Sequence, residues 1–174
     1  MPSFVYFHVY APITGTITGL DSYCGGGYHP TRSGYSSPRD IAGTGSLVFY
    51  GSTNVKSIRV TALYNSICAG YPAPWSNGVK VDLYSALNGG GYVGTVYYGH
   101  CANPSNAGLQ NARIWTIGSV PTTCPNNNCN NTCFTGAHSH MEKRASYIAE
   151  AMPLTCGQTV YAGSTVIYRW QVLI

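Results

Sequence analysis

The sequence predicts an all-β chain: an antiparallel sandwich or open barrel with long loops and at most one short helix. Three observations predict it. Short runs of alternating, β-branched or aromatic residues recur along the chain, clusters of Gly, Pro and Asn separate them, and helical periodicity is nearly absent.

In order, the predicted strands are Phe4 to Tyr10, Gly15 to Leu20, Ser46 to Tyr50, Val55 to Leu63, Val79 to Leu83, Tyr92 to Tyr98, Ile114 to Ile117 and Thr165 to Val172. Asn88-Gly89-Gly90-Gly91, Tyr71-Pro72-Ala73-Pro74 and Asn103-Pro104 mark tight turns or short loops between them. Only Met141 to Met152 has helix-forming composition, with Glu142, Lys143, Arg144, Ala145, Ala149, Glu150 and Ala151, and Pro153 would end such a helix. No internal repeat is visible, and 174 residues fit a single domain spanning 1–174.

Charged residues are 8% of the chain and hydrophobic residues 44%, so the chain is expected to fold rather than to stay disordered by charge excess. Its surface must then be built largely from Ser, Thr, Asn, Gly and Tyr, a composition suited to sugars and wall polymers. The nine Lys and Arg are scattered singly, without a basic run or stripe, which argues against nucleic acid; the net charge of +4 favours an anionic wall. No segment is long and apolar enough to read as a membrane span. The first basic residue is Arg32, so Met1-Pro2-Ser3 reads as the start of a mature chain rather than of a signal peptide.

Seven cysteines, at 24, 68, 101, 124, 129, 133 and 156, point to an oxidising compartment and a secreted protein, and the odd count leaves at least one thiol free or paired between chains. The run from Cys124 to Cys133 reads as a disulfide-pinned loop.

Five His and five acidic residues make their placement informative. In His138-Ser139-His140 the two imidazoles project from one face if the segment is a strand, where they can bind a metal together, or one can bind it while the other handles protons. Asp40, in Arg39-Asp40-Ile41-Ala42-Gly43, precedes the strand Leu47 to Tyr50; His29 lies in a Gly-rich loop, and His100 ends the strand Thr95 to His100.

Together these residues form an ordered series: Ala11-Pro12-Ile13-Thr14-Gly15-Thr16-Ile17, His29, Asp40-Ile41-Ala42, Tyr98-Gly99-His100, and Gly136-Ala137-His138-Ser139-His140-Met141-Glu142. The series resembles the lysostaphin-type and β-lytic zinc endopeptidases, which cleave peptides of bacterial peptidoglycan. It covers residues 11 to 142 and is weak outside the motifs. In most of that family the first His stands four residues before the Asp, where this chain has Ser36. The β-lytic branch carries a longer insertion, similar to Thr31 to Pro38, which makes His29 the corresponding residue.

The resemblance implies a zinc ion held by His29, Asp40 and His140, with a zinc-bound water as nucleophile toward a peptidoglycan peptide. It makes His138 the general base and gives a protonated His100 a share of the oxyanion charge. Glu142 is expected to orient a ligand imidazole, and Tyr28, Tyr35, Tyr97 and Tyr98 to line a substrate groove.

Two other readings stay open at this point. One is a catalytically inactive member of the same fold that binds walls; the other is a structural or carbohydrate-binding extracellular β protein without metal. Exposed terminal strands, Phe4 to Val9 and Thr165 to Ile174, would also suit self-assembly by sheet augmentation.

Overall fold

The structure is a computed structural model, and it describes residues 3–64, 77–121, 137–145 and 147–173. The turn at Tyr71 to Pro74, Cys68 and the cysteine-rich run at Cys124 to Cys133 lie outside the described residues. The described strands are β1 (Phe4–Tyr10), β2 (Gly15–Gly19), β3 (Ser36–Ala42), β4 (Gly45–Gly51), β5 (Ser57–Leu63), β6 (Gly78–Tyr84), β7 (Tyr92–Gly99), β8 (Gly108–Gln110), β9 (Ile114–Val120), β10 (His138–Ala145), β11 (Ile148–Ala151), β12 (Thr159–Val160) and β13 (Val166–Leu173). One 3₁₀ turn, Leu87–Gly89, interrupts them.

The strands form two antiparallel sheets that do not close into a barrel, one of five strands in the order β11-β13-β1-β4-β9 and one of eight in the order β12-β2-β3-β10-β7-β6-β5-β8. Period-2 alternation explains how they pack: β1 turns Phe7 and Val9 inward, and in β10 Ser139 and Met141 face the core while His138, His140 and Glu142 lie on the opposite face. One hydrophobic cluster draws on both sheets, joining Phe7, Val9, Phe49 and Trp170 to Ile41, Val96, Tyr98 and Met141. Gly94 permits a close approach of the two sheets: a Cβ there would stand 2.2 Å from the indole Nε1 of Trp170.

The helix expected over Met141 to Met152 is not formed. That stretch is the second half of β10 followed by β11. Its Ala, Glu, Lys and Arg favour a helix only weakly, and β10 gains ladders on both sides, to β3 and to β7, which override the local preference.

Asp40 does not precede a strand but lies inside one, β3, which the sequence reading missed because Pro38 interrupts it. A bulge accommodates that proline. Between the pairs Met141↔Arg39 and Lys143↔Ser36, Ser37 and Pro38 together oppose Glu142, and Ser37 takes φ 54°. The Ser37 carbonyl accepts a 2.6 Å hydrogen bond from the Tyr168 hydroxyl of the other sheet.

The two terminal strands are neighbours, and β1 meets β4 only at Val9 and Tyr10. β1 and β13 pair with each other from Phe4↔Leu173 to Tyr10↔Val166, and the edges of that sheet are β11 and β9. A disulfide joins Cys24 to Cys156 across 132 residues and ties the loop before His29 to the chain near β12. Cys101 is free and buried, and burial pushes its thiol up to about 12, so it is an inert core residue. Among the described residues, no helix is long and apolar enough to cross a membrane.

Candidate metal centre

The outward face of the eight-stranded sheet gathers the polar residues. β10 lies between β3 and β7, and its register sets His140 opposite Asp40 on one side and Gly99 on the other, with Glu142 opposite Tyr97. His29 arrives from the loop after β2. It stands eleven residues before Asp40 in sequence, yet its Nε2 lies 3.2 Å from Asp40 Oδ2 and 3.2 Å from His140 Nδ1. His140 Nδ1 is 2.9 Å from Asp40 Oδ1. All three side chains are buried, and the trio can hold a metal ion.

The donor set fits a cation on three counts. Ligands about 2.0–2.1 Å from a tetrahedral ion lie roughly 3.4 Å apart, close to the observed edges. His29 Nδ1–H donates to the Leu20 carbonyl at 2.7 Å, which turns Nε2 toward a carboxylate oxygen and another imidazole nitrogen. A carboxylate between two imidazole nitrogens suits a positive charge at their centre. His140 Nε2–H in turn donates to Glu142 Oε1 at 2.8 Å, so both imidazoles are tethered at the nitrogen remote from the cluster, as metal-ligating histidines are.

Glu142 does more than orient His140. Both of its oxygens accept the backbone N–H of Arg32 at 3.1 Å, so one buried carboxylate fastens the His29 loop to β10. Gly19, opposite Asp40 in the ladder, leaves the space that the cluster fills: a Cβ there would lie 2.7 Å from Asp40 Oδ2 and 3.0 Å from His29 Cε1.

The other two histidines flank the trio. His138 Nε2 is 3.7 Å from Asp40 Oδ1, and its ring centroid is 4.7 Å from that of His100, whose own centroid is 6.0 Å from that of His140. His100 follows β7 with φ 51°, a left-handed turn that ends the strand beside the site. His29, Asp40, His100, His138, His140 and Glu142 therefore converge in one place.

The tyrosines divide differently from the expectation. Tyr28 is exposed, whereas Tyr97 and Tyr98 have no accessible surface and line no open groove. Tyr98 is a core residue opposite Met141; Tyr97 lies on the site face beneath the Arg32 guanidinium, 4.6 Å from its ring, with Tyr35 edge-on at 6.0 Å. The sequence reading missed Tyr23, whose ring packs 4.4 Å from that of His29, and the backbone groups of Leu20 and Arg32. A backbone hydrogen bond leaves no mark in a single sequence, and with 15 Tyr in the chain nothing distinguished Tyr23.

Burial alone would raise the Asp40 pKa, but the hydrogen bonds from His140 and His29, together with the nearby imidazoles of His138 and His140, outweigh it and hold the carboxyl well below the usual carboxylate range. Burial alone would lower that of His140, but its hydrogen bonds to Asp40 and Glu142 outweigh burial and push it up to about 9. Without a metal, His140 thus holds a proton between two carboxylates at neutral pH.

No protein-family model, curated protein or solved structure matches the chain.

Two outcomes follow for the metal-free and metal-loaded protein. A raised His140 pKa contributes stability that is complete below about pH 6.5 and lost as pH rises through 9, while the depressed Asp40 pKa contributes stability that is complete above about pH 4 and lost in acid. Urea midpoints of the metal-free protein should therefore peak between about pH 4 and 6.5, and His140→Gln should flatten the alkaline limb. Glu142→Gln, by releasing His140 and the Arg32 loop, should weaken metal affinity by about 10–100-fold in a chelator competition.

Proposed function

We propose that this protein is a secreted zinc-dependent endopeptidase that hydrolyses peptide bonds of bacterial peptidoglycan. The observation that carries this reading is the meeting of His29 Nε2, Asp40 and His140 Nδ1 with mutual distances of 2.9 to 3.2 Å, each imidazole tethered at its other nitrogen. Two imidazoles and one carboxylate suit zinc better than calcium or magnesium, which take oxygen ligands, and three protein ligands leave a tetrahedral ion one open position. Zinc held there would supply a Lewis acid for water and for a carbonyl oxygen.

The remaining chemistry falls to residues of the chain. His138, 3.7 Å from the Asp40 carboxylate, is placed to take the proton of the attacking water and deliver it to the departing amine. His100, whose ring meets that of His138 edge-on with centroids 4.7 Å apart, is the residue we assign to the oxyanion charge. Glu142 holds the His140 ring and the His29 loop in register.

Support for a peptidoglycan substrate comes from the order of motifs, from the Tyr-, Gly- and Asn-rich, weakly charged composition, and from the net charge of +4 toward an anionic wall. The Cys24–Cys156 disulfide supports a location outside the cell.

The test is zinc content together with release of new amino termini from purified peptidoglycan. His138→Ala should retain one zinc per chain and lose on the order of 10²–10⁴-fold in kcat, whereas His140→Ala should lose the zinc as well. A zinc-loaded wild-type chain that leaves peptidoglycan intact would overturn the proposal.

A further inference from the structure

β1 is the central strand of the five-stranded sheet, and its period of two sends Phe7 and Val9 into the core while Tyr6, His8 and Tyr10 line the outward side, away from the metal centre. The three rings form a row. The centroids of Tyr6 and His8 are 6.4 Å apart with planes at 16°, and those of His8 and Tyr10 are 6.4 Å apart with planes at 66°. This row is one wall of a cavity of about 500 Å³, whose other wall is the turn Ser52 to Asn54 after β4, with Arg113 beside it.

The cavity exists because β4 leaves β1 early. The two strands meet only at Val9↔Gly51 and Tyr10↔Tyr50. Beyond that point the turn replaces the ladder: Ser52 Oγ accepts the His8 N–H at 2.9 Å, the Ser52 N–H donates to the His8 carbonyl at 3.0 Å, and Asn54 Nδ2 donates to the Tyr6 carbonyl at 2.9 Å. The two walls are thereby fixed to each other. The Tyr6 ring is fixed as well, since the Arg169 guanidinium lies 4.8 Å from its centroid and is itself paired with Glu150. Among the described residues the lining holds no carboxylate and one cation, Arg113, whose guanidinium donates to the Gly51 carbonyl at 3.0 Å. Burial and the neighbouring Arg169 hold His8 below the usual imidazole pKa, so at neutral pH its ring is uncharged, with one nitrogen to donate and one to accept.

Such a lining suits a ligand rich in hydroxyl and amide groups, with little charge and with apolar faces between them. Aromatic rings cover the C–H faces of a pyranose, while hydroxyl, carboxamide and neutral imidazole groups exchange hydrogen bonds with its rim. We propose that the row Tyr6, His8 and Tyr10 is a binding site for an uncharged glycan chain. Rings spaced along one strand take consecutive sugars, and the turn of Tyr10 out of the plane of its neighbours fits a chain whose sugars rotate from one to the next. The core cluster separates this face from the metal centre, so a glycan held here leaves that centre open. Under the hydrolase reading the site would keep the protein on the wall glycan and raise the local concentration of the peptides to be cut. The binding itself does not depend on that reading.

The experiment titrates the nitrogen-15-labelled full chain with tetra-N-acetylchitotetraose and follows the backbone amide resonances, with and without chelator. Shifts should concentrate at Tyr6 to Tyr10 and Ser52 to Asn54, report a Kd of about 1 mM or tighter, and survive chelation. Tyr6→Ala/Tyr10→Ala should weaken binding at least about tenfold. Tyr6→Phe/Tyr10→Phe, which keeps the rings, should stay within about threefold of wild type and so report that the sheet is intact. Undiminished binding by the alanine variant would overturn the proposal, as would the absence of any shift up to about 10 mM tetrasaccharide. Shifts confined to the His29 loop and β10 would put the sugar at the metal centre and overturn it too, and displacement of the sugar by equimolar inorganic phosphate would assign an anion site instead. Failure to hydrolyse peptidoglycan with glycan binding intact would remove the hydrolase reading and leave this site standing.

Discussion

Three potential ligand atoms gathered at one point govern this structure. His29 Nε2, the Asp40 carboxylate and His140 Nδ1 face one another within 3.2 Å, an arrangement of acceptors that repels unless a cation or a proton occupies its centre. Much else on this sheet face serves to hold them there. The Leu20 carbonyl and Glu142 fix the two rings, Glu142 also fastens the loop at Arg32, and Gly19 leaves room for the Asp40 carboxylate.

The scaffold explains why such a cluster is affordable. β10 is the inner strand to which β3 and β7 both pair, so its period of two places His138, His140 and Glu142 in one row while Ser139 and Met141 anchor the opposite side in the core. A shift of one residue in register would exchange the rows and bury the imidazoles among Ile41 and Tyr98. The bulge at Ser37 and Pro38 keeps β3 in register at Asp40 while its pairing ends near Ser36.

How much of this was legible in the sequence depends on what each residue's neighbours reveal. Alternating runs such as Phe4 to Tyr10 announced their strands because half of their side chains are buried. β3 did not, since Pro38 and its serines read as a loop, and β10 with β11 imitated a helix because Lys, Glu and Ala are good helix formers wherever long-range ladders do not decide otherwise. His138 and His140 were visible through their spacing of two. Asp40 and His29 emerged only through the resemblance of the motif series, because a distance across a fold is not written in local pattern. Tyr97 and Tyr98 were assigned to a groove on residue type alone, and their complete burial shows that type to be a poor guide in a chain with 15 Tyr.

The central claim is that the cluster is a metal site made of two imidazole nitrogens and a carboxylate. X-ray absorption at the zinc edge of the full chain loaded with one equivalent of zinc tests it most directly. The account predicts a first shell of nitrogen and oxygen at about 2.0–2.1 Å with the outer-ring scattering of two imidazoles, lost in His29→Ala. A shell dominated by sulfur at about 2.3 Å, or zinc that dialyses away from the intact chain, would contradict it.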